Sequence, residues 1–466
     1  MNPKQVHIIG AGLAGSEAAH YLAERGAQVV LHEMRPHRLT PAHKTGGCAE
    51  LVCSNSFKSR SPHSAPGMLK AEMSLMNSLI LRCASQAEVP AGEALGVDRD
   101  AFSEIVTHAL SSHPNITRVD GEVTQPEPGA ITLIATGPLT SDSLSKWLAE
   151  ATSQGEAHRE LYFYDAIAPI IDASTIDRES AFLANRYEKG EEQAYLNCPM
   201  NEAEYDAFID ALTAAEKVPP KNFEKEVFFQ GCQPIEAIAA TGRQSLRFGP
   251  MKPVGLTDPR TGQRPHAVVQ LRPENRDLTA YNLVGFQTKL KYGEQSRVFR
   301  MIPALKNAEF FRLGSIHRNT YVCGPRVLRS DLSLKGHPRV YLAGQITGVE
   351  GYLESAACGL LAAQFIAQRL EGLPHRAPPA NTALGALLRH VIGSDPKHYQ
   401  PANMHFGLFE PSLFENLGDI RNGKDAIRQS MARQTIQNFE TWFNGSLERA
   451  GGNDGKAHTP RVHLHQ

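Results

Sequence analysis

The feature that most constrains this chain is a glycine pattern near its start, Gly10-Ala11-Gly12-Leu13-Ala14-Gly15, set between an apolar run and a helical run. Val6-His7-Ile8-Ile9 suits a strand of a buried parallel sheet. Ser16 to Ala23 has helical composition, and Ala27-Gln28-Val29-Val30-Leu31-His32 reads as a second strand ending at Glu33. Strand, glycine turn, helix, strand and acid, in that order, make a dinucleotide-binding unit. The glycines permit a tight turn and close backbone approach to a pyrophosphate, while the helix start offers N–H groups and the positive end of a dipole. Glu33 follows Gly10 by 23 residues, near the ~20 expected of a ribose-binding acid. An acid here suits a free ribose 2′-hydroxyl, which favours FAD or NAD over NADP.

Two later segments point to FAD. Ile131-Thr132-Leu133-Ile134-Ala135-Thr136-Gly137 is a strand ending in Ala-Thr-Gly, a segment similar to one in many two-dinucleotide flavoproteins. Val340 to Ala343 is another strand, leading through Gly344-Gln345, Gly348 and Gly351-Tyr352 into an apolar helix from Leu353 to Arg369. A glycine turn and helix start this late suit contact with a flavin. Many flavoproteins have Gly-Asp where this chain has Gly344-Gln345, which narrows the family without excluding FAD.

At 466 residues the chain is too long for one core, and its 41% hydrophobic and 21% charged content excludes wholesale disorder. The expected class is α/β: a Rossmann-like FAD-binding domain, a parallel sheet flanked by helices, interrupted by a smaller α+β insertion. Its first part is expected over 1–94 and its second over 310–445. Residues 95–309 are expected to be mainly insertion, with returns to the FAD domain around 131–140 and 228–245, and 446–466 to be a disordered tail. No apolar run is long enough to span a membrane. The N-terminus enters a strand without a leader pattern, so a cytoplasmic location is expected.

The net charge of −1 argues against a protein that coats nucleic acid non-specifically, but the charge is unevenly spread. Residues 174–228 hold twelve acids and six bases; residues 243–318 hold fourteen bases and five acids. In the basic stretch Phe248, Tyr281, Phe286, Tyr292, Phe299, Phe310 and Phe311 interleave with the cations. Cations near aromatics serve phosphate contact and stacking on unpaired RNA bases; scattered surface charge over core aromatics is the alternative.

The seven cysteines form no C-x-x-C pair and no zinc spacing, so neither a disulfide scaffold nor a metal site is expected. Cys53 lies in a small-residue loop, Thr45 to Lys58, suited to crossing a flavin. Cys232 ends an apolar strand just before Pro234-Ile235-Glu236 opens a helix, where the dipole favours a thiolate. Each is either a reactive thiol or a small buried hydrophobe.

Six segments together resemble one family: GAGLAGSEAA at 10–19, TGGCAELVCSNSFKS at 45–59, FFQGCQPIEAIAATGR at 228–243, RFGPMKPVGL at 247–256, GFQTKLKYGEQSRVFRMIPAL at 285–305 and LAGQITGVEGYLESAA at 342–357. It is the TrmFO family, FAD- and folate-dependent methyltransferases of bacterial tRNA, related to the MnmG (GidA) proteins. The resemblance runs to about residue 440. A small departure falls at Tyr399 to Gly407. The resemblance implies methylation of C5 of the T-loop uridine (position 54) in tRNA, carbon from 5,10-methylenetetrahydrofolate passing through reduced flavin, and electrons from NADH or NADPH. It implies Cys53 and Cys232 as the catalytic pair, one thiolate adding to uracil C6; Cys232 is favoured for that addition by its helix-start context. It implies the tRNA T-arm, folate and NAD(P)H as partners, with no membrane and no obligate protein partner. The same chemistry on a ribosomal RNA uridine, an MnmG-like modification and a flavoprotein that only binds RNA are the competing readings.

Overall fold

The computed structural model describes residues 4–40, 42–152, 161–166, 168–188, 195–219, 233–314, 316–415 and 423–450. A five-stranded parallel sheet forms the base of the larger unit, in the order β16 (Val340–Leu342), β7 (Ile131–Ile134), β1 (Gln5–Ile9), β2 (Gln28–Glu33), β6 (Ile116–Asp120). Helices α1 (Leu13–Ala23), α2 (Ala65–Leu75), α3 (Leu79–Gln86), α4 (Arg99–Ser111) and α5 (Asp142–Thr152) pack on it. So do α10 (Gly324–Val327), α11 (Tyr352–Leu370), α12 (Ala383–Gly393) and α13 (Lys424–Ala450). β1 is central, β16 and β6 are the edges, both faces are covered, and the inner strands are accordingly apolar without alternation. α11 is buried on all sides from Leu353 to Gln368, the consequence of its apolar sequence.

The second sheet is antiparallel, in the order β10 (Phe182–Leu183), β11 (Leu196–Met200), β12 (Ala267–Pro273), β13 (Ala280–Leu283), β9 (Ile170–Asp172), β14 (Phe310–Arg312). With α6 (Glu202–Ala214), α7 (Ile235–Ala240), α8 (Ser245–Phe248) and α9 (Tyr292–Phe299) it closes a separate apolar core around Phe208, Phe286 and Phe299. α6 begins with a full capping box, Asn201 and Glu204 each bonding the other's backbone N–H, which explains the acid-rich helix start. A small sheet of β3 (Ser56–Ser59), β5 (Ala94–Val97) and β4 (Glu88–Val89) and a two-stranded pair of β8 (Leu161–Ala166) and β15 (Ile316–Tyr321) complete the strands.

The sheet partners divide the chain differently from the composition in three places. α4 and β6, inside the 95–309 stretch read as mainly insertion, belong to the parallel sheet, because Val29 to Glu33 of β2 pair with Ile116 to Asp120. Ile235 and Ala239, in the 228–245 stretch read as returning to the FAD unit, pack into the core of the second sheet. α13 continues to Ala450, past the point where the tail was expected to begin; residues 451–466 and 228–232 lie outside the described residues.

Candidate functional site

The glycine turn adopts the conformation its sequence demands. Gly10 has φ +101°, and a Cβ there would lie 2.7 Å from the carbonyl oxygen of Ala135. A Cβ on Gly15 would lie 1.8 Å from the Gly10 carbonyl oxygen, so the helix can start this close to its own turn only as glycine. No side chain caps α1 at Gly12, which leaves its N-terminal amides facing outward. Gly10, Gly12 and Glu33 line a cleft of about 550 Å³, counting the space open to solvent. Met34, Arg35, Thr40, His43, Gly121, Thr136 and Leu139 are also part of its wall. Ala11, Leu13 and Ala14 are buried behind it.

Glu33 is buried with both carboxylate oxygens engaged. It accepts from the Ala11 N–H at 2.9 Å, and from the Arg35 backbone N–H at 3.1 Å, Nε at 2.9 Å and Nη2 at 3.0 Å. Burial alone would raise its pKa; the Arg35 hydrogen bonds and charge outweigh burial and hold it below the usual carboxylate value. Arg35 reaches on to Glu50 at 3.1 Å. Arg35 is therefore a site residue that the spacing rule for the acid does not reveal, although its position two residues beyond Glu33 is a signal in retrospect. Burial, then the charge of Arg35, depresses His43 to about 4.

The late glycine turn meets the early one. Gly344 (φ +82°) would place a Cβ 2.9 Å from that of Ala14, and Gly359 of α11 abuts the Ala14 carbonyl, where a Cβ would sit 2.2 Å away. Gln345 donates to Glu350 at 2.6 Å. Gly348 (φ +94°) leaves room for the Tyr399 hydroxyl, and Gly351 (φ +110°) starts α11, again without a side-chain cap. Two uncapped helix starts thus flank one line of approach, the arrangement an extended dinucleotide requires, and the residues present fit FAD.

Cys53 sits at the α11 end. The Tyr352 hydroxyl accepts the N–H groups of Cys53 at 2.7 Å and Ser54 at 3.1 Å, and donates to the Cys53 sulfur at 3.2 Å. Around this loop are Arg99, ion-paired with Glu274 and donating to the Leu51 carbonyl at 2.9 Å, and Arg272, which donates to Ser54 Oγ at 3.1 Å. Arg312 lies near Arg99, Tyr352, Cys53 and Glu274, and burial, then the charge of Arg99, lowers its pKa. These three arginines come from α4, β12 and β14, and nothing in the local sequence links them. Cys232 lies outside the described residues. The remaining cysteines among the described residues have their pKa raised by burial or carry no resolved role; Cys198 is pushed up to about 12 by complete burial.

The basic stretch is less available than its composition suggests. Arg243 pairs with Asp206 and Asp210, Arg260 with Asp258, Lys291 with Glu216, Arg297 with Glu294 and Lys306 with Asp177. The acidic and basic stretches thus partly neutralise each other, as Asp206, Asp210, Glu216 and Asp177 come from the former. Tyr281, Phe286 and Phe299 are core residues, whereas Phe248, Tyr292 and Phe311 are exposed, Phe248 at 85%.

Among the described residues no group of acids, histidines and cysteines could hold a metal ion, and no helix is long and apolar enough to cross a membrane. Residues 5–374 match the family model for glucose inhibited division protein A. The chain is 54% identical over 438 residues to the methylenetetrahydrofolate--tRNA-(uracil-5-)-methyltransferase TrmFO of Geobacter sulfurreducens, covering 94% of this chain and 98% of that protein. With the protein of the same name from Anaeromyxobacter dehalogenans it shares 55% over 449 residues, 95% of this chain and 98% of the other.

The chain belongs to the TrmFO family.

A structure of Aquifex aeolicus GidA has the same fold, with a TM-score of 0.64 at 16% identity, over 96% of this chain and 78% of that one. The Cys53 loop and both glycine turns lie within residues 5–374, which the family model matches.

Proposed function

We propose that this chain methylates C5 of the T-loop uridine of tRNA, with 5,10-methylenetetrahydrofolate as carbon donor and NADH or NADPH as reductant, in the cytoplasm. The observation that carries this reading is near full-length identity above half to proteins named for that reaction. The FAD cradle at Gly10–Gly15 and the polar loop at Cys53 support it. When bound, FAD supplies the electrons and the carrier for the one-carbon unit.

The chain's own residues bind and orient. The α1 start, with Gly10 and Gly12, would hold the pyrophosphate; Glu33 and Arg35 would lie at the adenosine end, and Gly344, Gln345, Gly348, Gly351 and Tyr352 at the flavin end. Uracil C5 is a poor nucleophile until a soft nucleophile saturates the C5–C6 bond. Cys232 is assigned that addition: its thiolate would add to C6, C5 would become nucleophilic and accept the carbon at the methylene level, the C5 proton would leave, and a hydride whose electrons come from NADH or NADPH would take the carbon to methyl as the thiolate is expelled. Cys53 is assigned to the flavin end, beside Tyr352. The target base must leave its stack to reach the site, at a cost of about a few kcal/mol that RNA contacts offset.

The test is nucleoside mass spectrometry with position mapping on an unmodified tRNA transcript and a ribosomal RNA transcript, each treated with the protein, FAD, NADPH and methylenetetrahydrofolate. The expected result is 5-methyluridine in the tRNA T loop, abolished by Cys232→Ala. Product only in the ribosomal RNA would move the substrate and keep the chemistry.

A further inference from the structure

The surroundings of Cys53 carry a charge imbalance. Arg99, Arg272 and Arg312 converge there from three elements; Glu274 pairs with Arg99 and lies near Arg312, while Arg272 contacts Ser54 Oγ. Arg272 is 8% exposed and its Nε has no hydrogen-bond partner among the described residues. Arg312 has no hydrogen-bonded or ion-paired side-chain partner among them either. Burying guanidinium groups without a counter-charge is costly, and a site built this way gains from any anion formed inside it.

The hydrogen bonding says which group becomes that anion. A phenol has one hydrogen and two lone pairs. Both lone pairs of Tyr352 are taken by the N–H groups of Cys53 and Ser54, so its hydrogen points at the Cys53 sulfur, 3.2 Å away. The sulfur is therefore the acceptor, and a thiolate accepts far better than a thiol. Tyr352 itself stays protonated: burial and the neighbouring sulfur push its pKa well above that of a free phenol. His43, which also faces Arg312, is held near 4 by burial and Arg35 and stays neutral near pH 7. Beyond it the Glu33–Arg35–Glu50 cluster carries one excess carboxylate, and Lys58 is neutralised by Glu354.

We infer that Arg272 and Arg312 are positioning residues that hold the Cys53 sulfur as a thiolate, with the Tyr352 hydroxyl as its hydrogen-bond donor. The proton goes to solvent, and no other bond changes. The inference deepens the catalytic reading of Cys53 and rests on it for its purpose, but its test needs neither folate nor RNA.

The test is the pH profile of iodoacetamide alkylation at Cys53, read by peptide mass spectrometry on the whole protein with and without FAD. The wild-type midpoint is expected below the ~8.5 of a free thiol. In Arg312→Gln and in Arg272→Gln the midpoint rises by about one unit, slowing alkylation at pH 6.5 about tenfold, and the matching lysine variants restore most of the rate. Midpoints unchanged in both glutamine variants would overturn the inference. So would a shift that lysine does not rescue, since that marks a change of shape instead of lost charge. Normal alkylation profiles with failed methylation would count against the methyltransferase reading alone, so the two failures are distinguishable.

Discussion

At the scale of single residues, the cleft depends on one buried ion-pair cluster. Glu33, Arg35 and Glu50 bind one another at 2.9–3.1 Å with Arg35 almost wholly buried. Removing the cation leaves two carboxylates without their partner, a loss of about 3–5 kcal/mol for a broken buried pair. Arg35→Met is therefore expected to lower the urea midpoint strongly and to weaken FAD binding. The double variant Glu33→Gln/Arg35→Met should recover more than half of the lost stability, because it removes a stranded charge as well. A double variant less stable than Arg35→Met would show that Glu33 has another anchor. Gly10 and Gly15 were legible in the sequence because a backbone clash imposes glycine there. Arg35 was not, because a pair of charges two residues apart in a strand-to-loop transition has no distinctive spacing.

Secondary-structure elements are joined by a device that sequence patterns do not display: buried glutamates that cap the starts of neighbouring helices. Glu17 on α1 accepts from Ser78 Oγ at 2.6 Å and from the backbone N–H groups of Leu79 and Ile80 at 2.8 and 3.0 Å, all at the start of α3. Glu72 on α2 does the same for Ala383 and Leu384 at the start of α12, at 2.6 and 2.7 Å. Burial pushes Glu17 up to about 7 and Glu72 up to about 8, against the pull of those donors. Their raised pKa means that the native state holds protons the unfolded chain has released. Stability from these groups is full below about 4.5 and falls as pH rises to about 7 for Glu17 and about 8 for Glu72. For Glu17 the loss is on the order of 3 kcal/mol. Urea unfolding from pH 5 to 7.5 should show a shallower pH slope in Glu17→Gln than in wild type; identical slopes would refute the assignment. In sequence, nothing marks either glutamate as buried.

The whole molecule is two cores joined at the Cys53 loop. Asn55, fully buried, donates from one amide to the Val97 carbonyl at 3.0 Å on the parallel-sheet side and to the Pro273 carbonyl at 2.9 Å at the end of β12. Arg99–Glu274 makes the same crossing. Asn55→Ala strands two buried carbonyls and is expected to cost about 2–3 kcal/mol. It should also broaden or split the urea transition as the two cores uncouple; a single transition at the wild-type midpoint would contradict this. The parallel unit was legible because each βα step carries its own punctuation. The antiparallel unit was not: β10 to β13 lie in chain order but across gaps of up to dozens of residues, β9 and β14 come back to the far side of β13, and Arg272 and Arg312 meet only through that order. Part of the basic composition of 243–318 is neutralised for the same reason, since Arg243, Lys291 and Lys306 find carboxylates that are distant in sequence.

The central claim is that the methyl carbon comes from folate through this FAD-binding cleft. The most direct measurement is isotope tracing into tRNA uridine, with ¹³C-methylene tetrahydrofolate in one reaction and ¹³C-methyl adenosylmethionine in another, both with FAD and NADPH. The account predicts labelled 5-methyluridine from the folate alone, and none from either donor when FAD is withheld from apoprotein. Label from adenosylmethionine, or product formed without FAD, would contradict it.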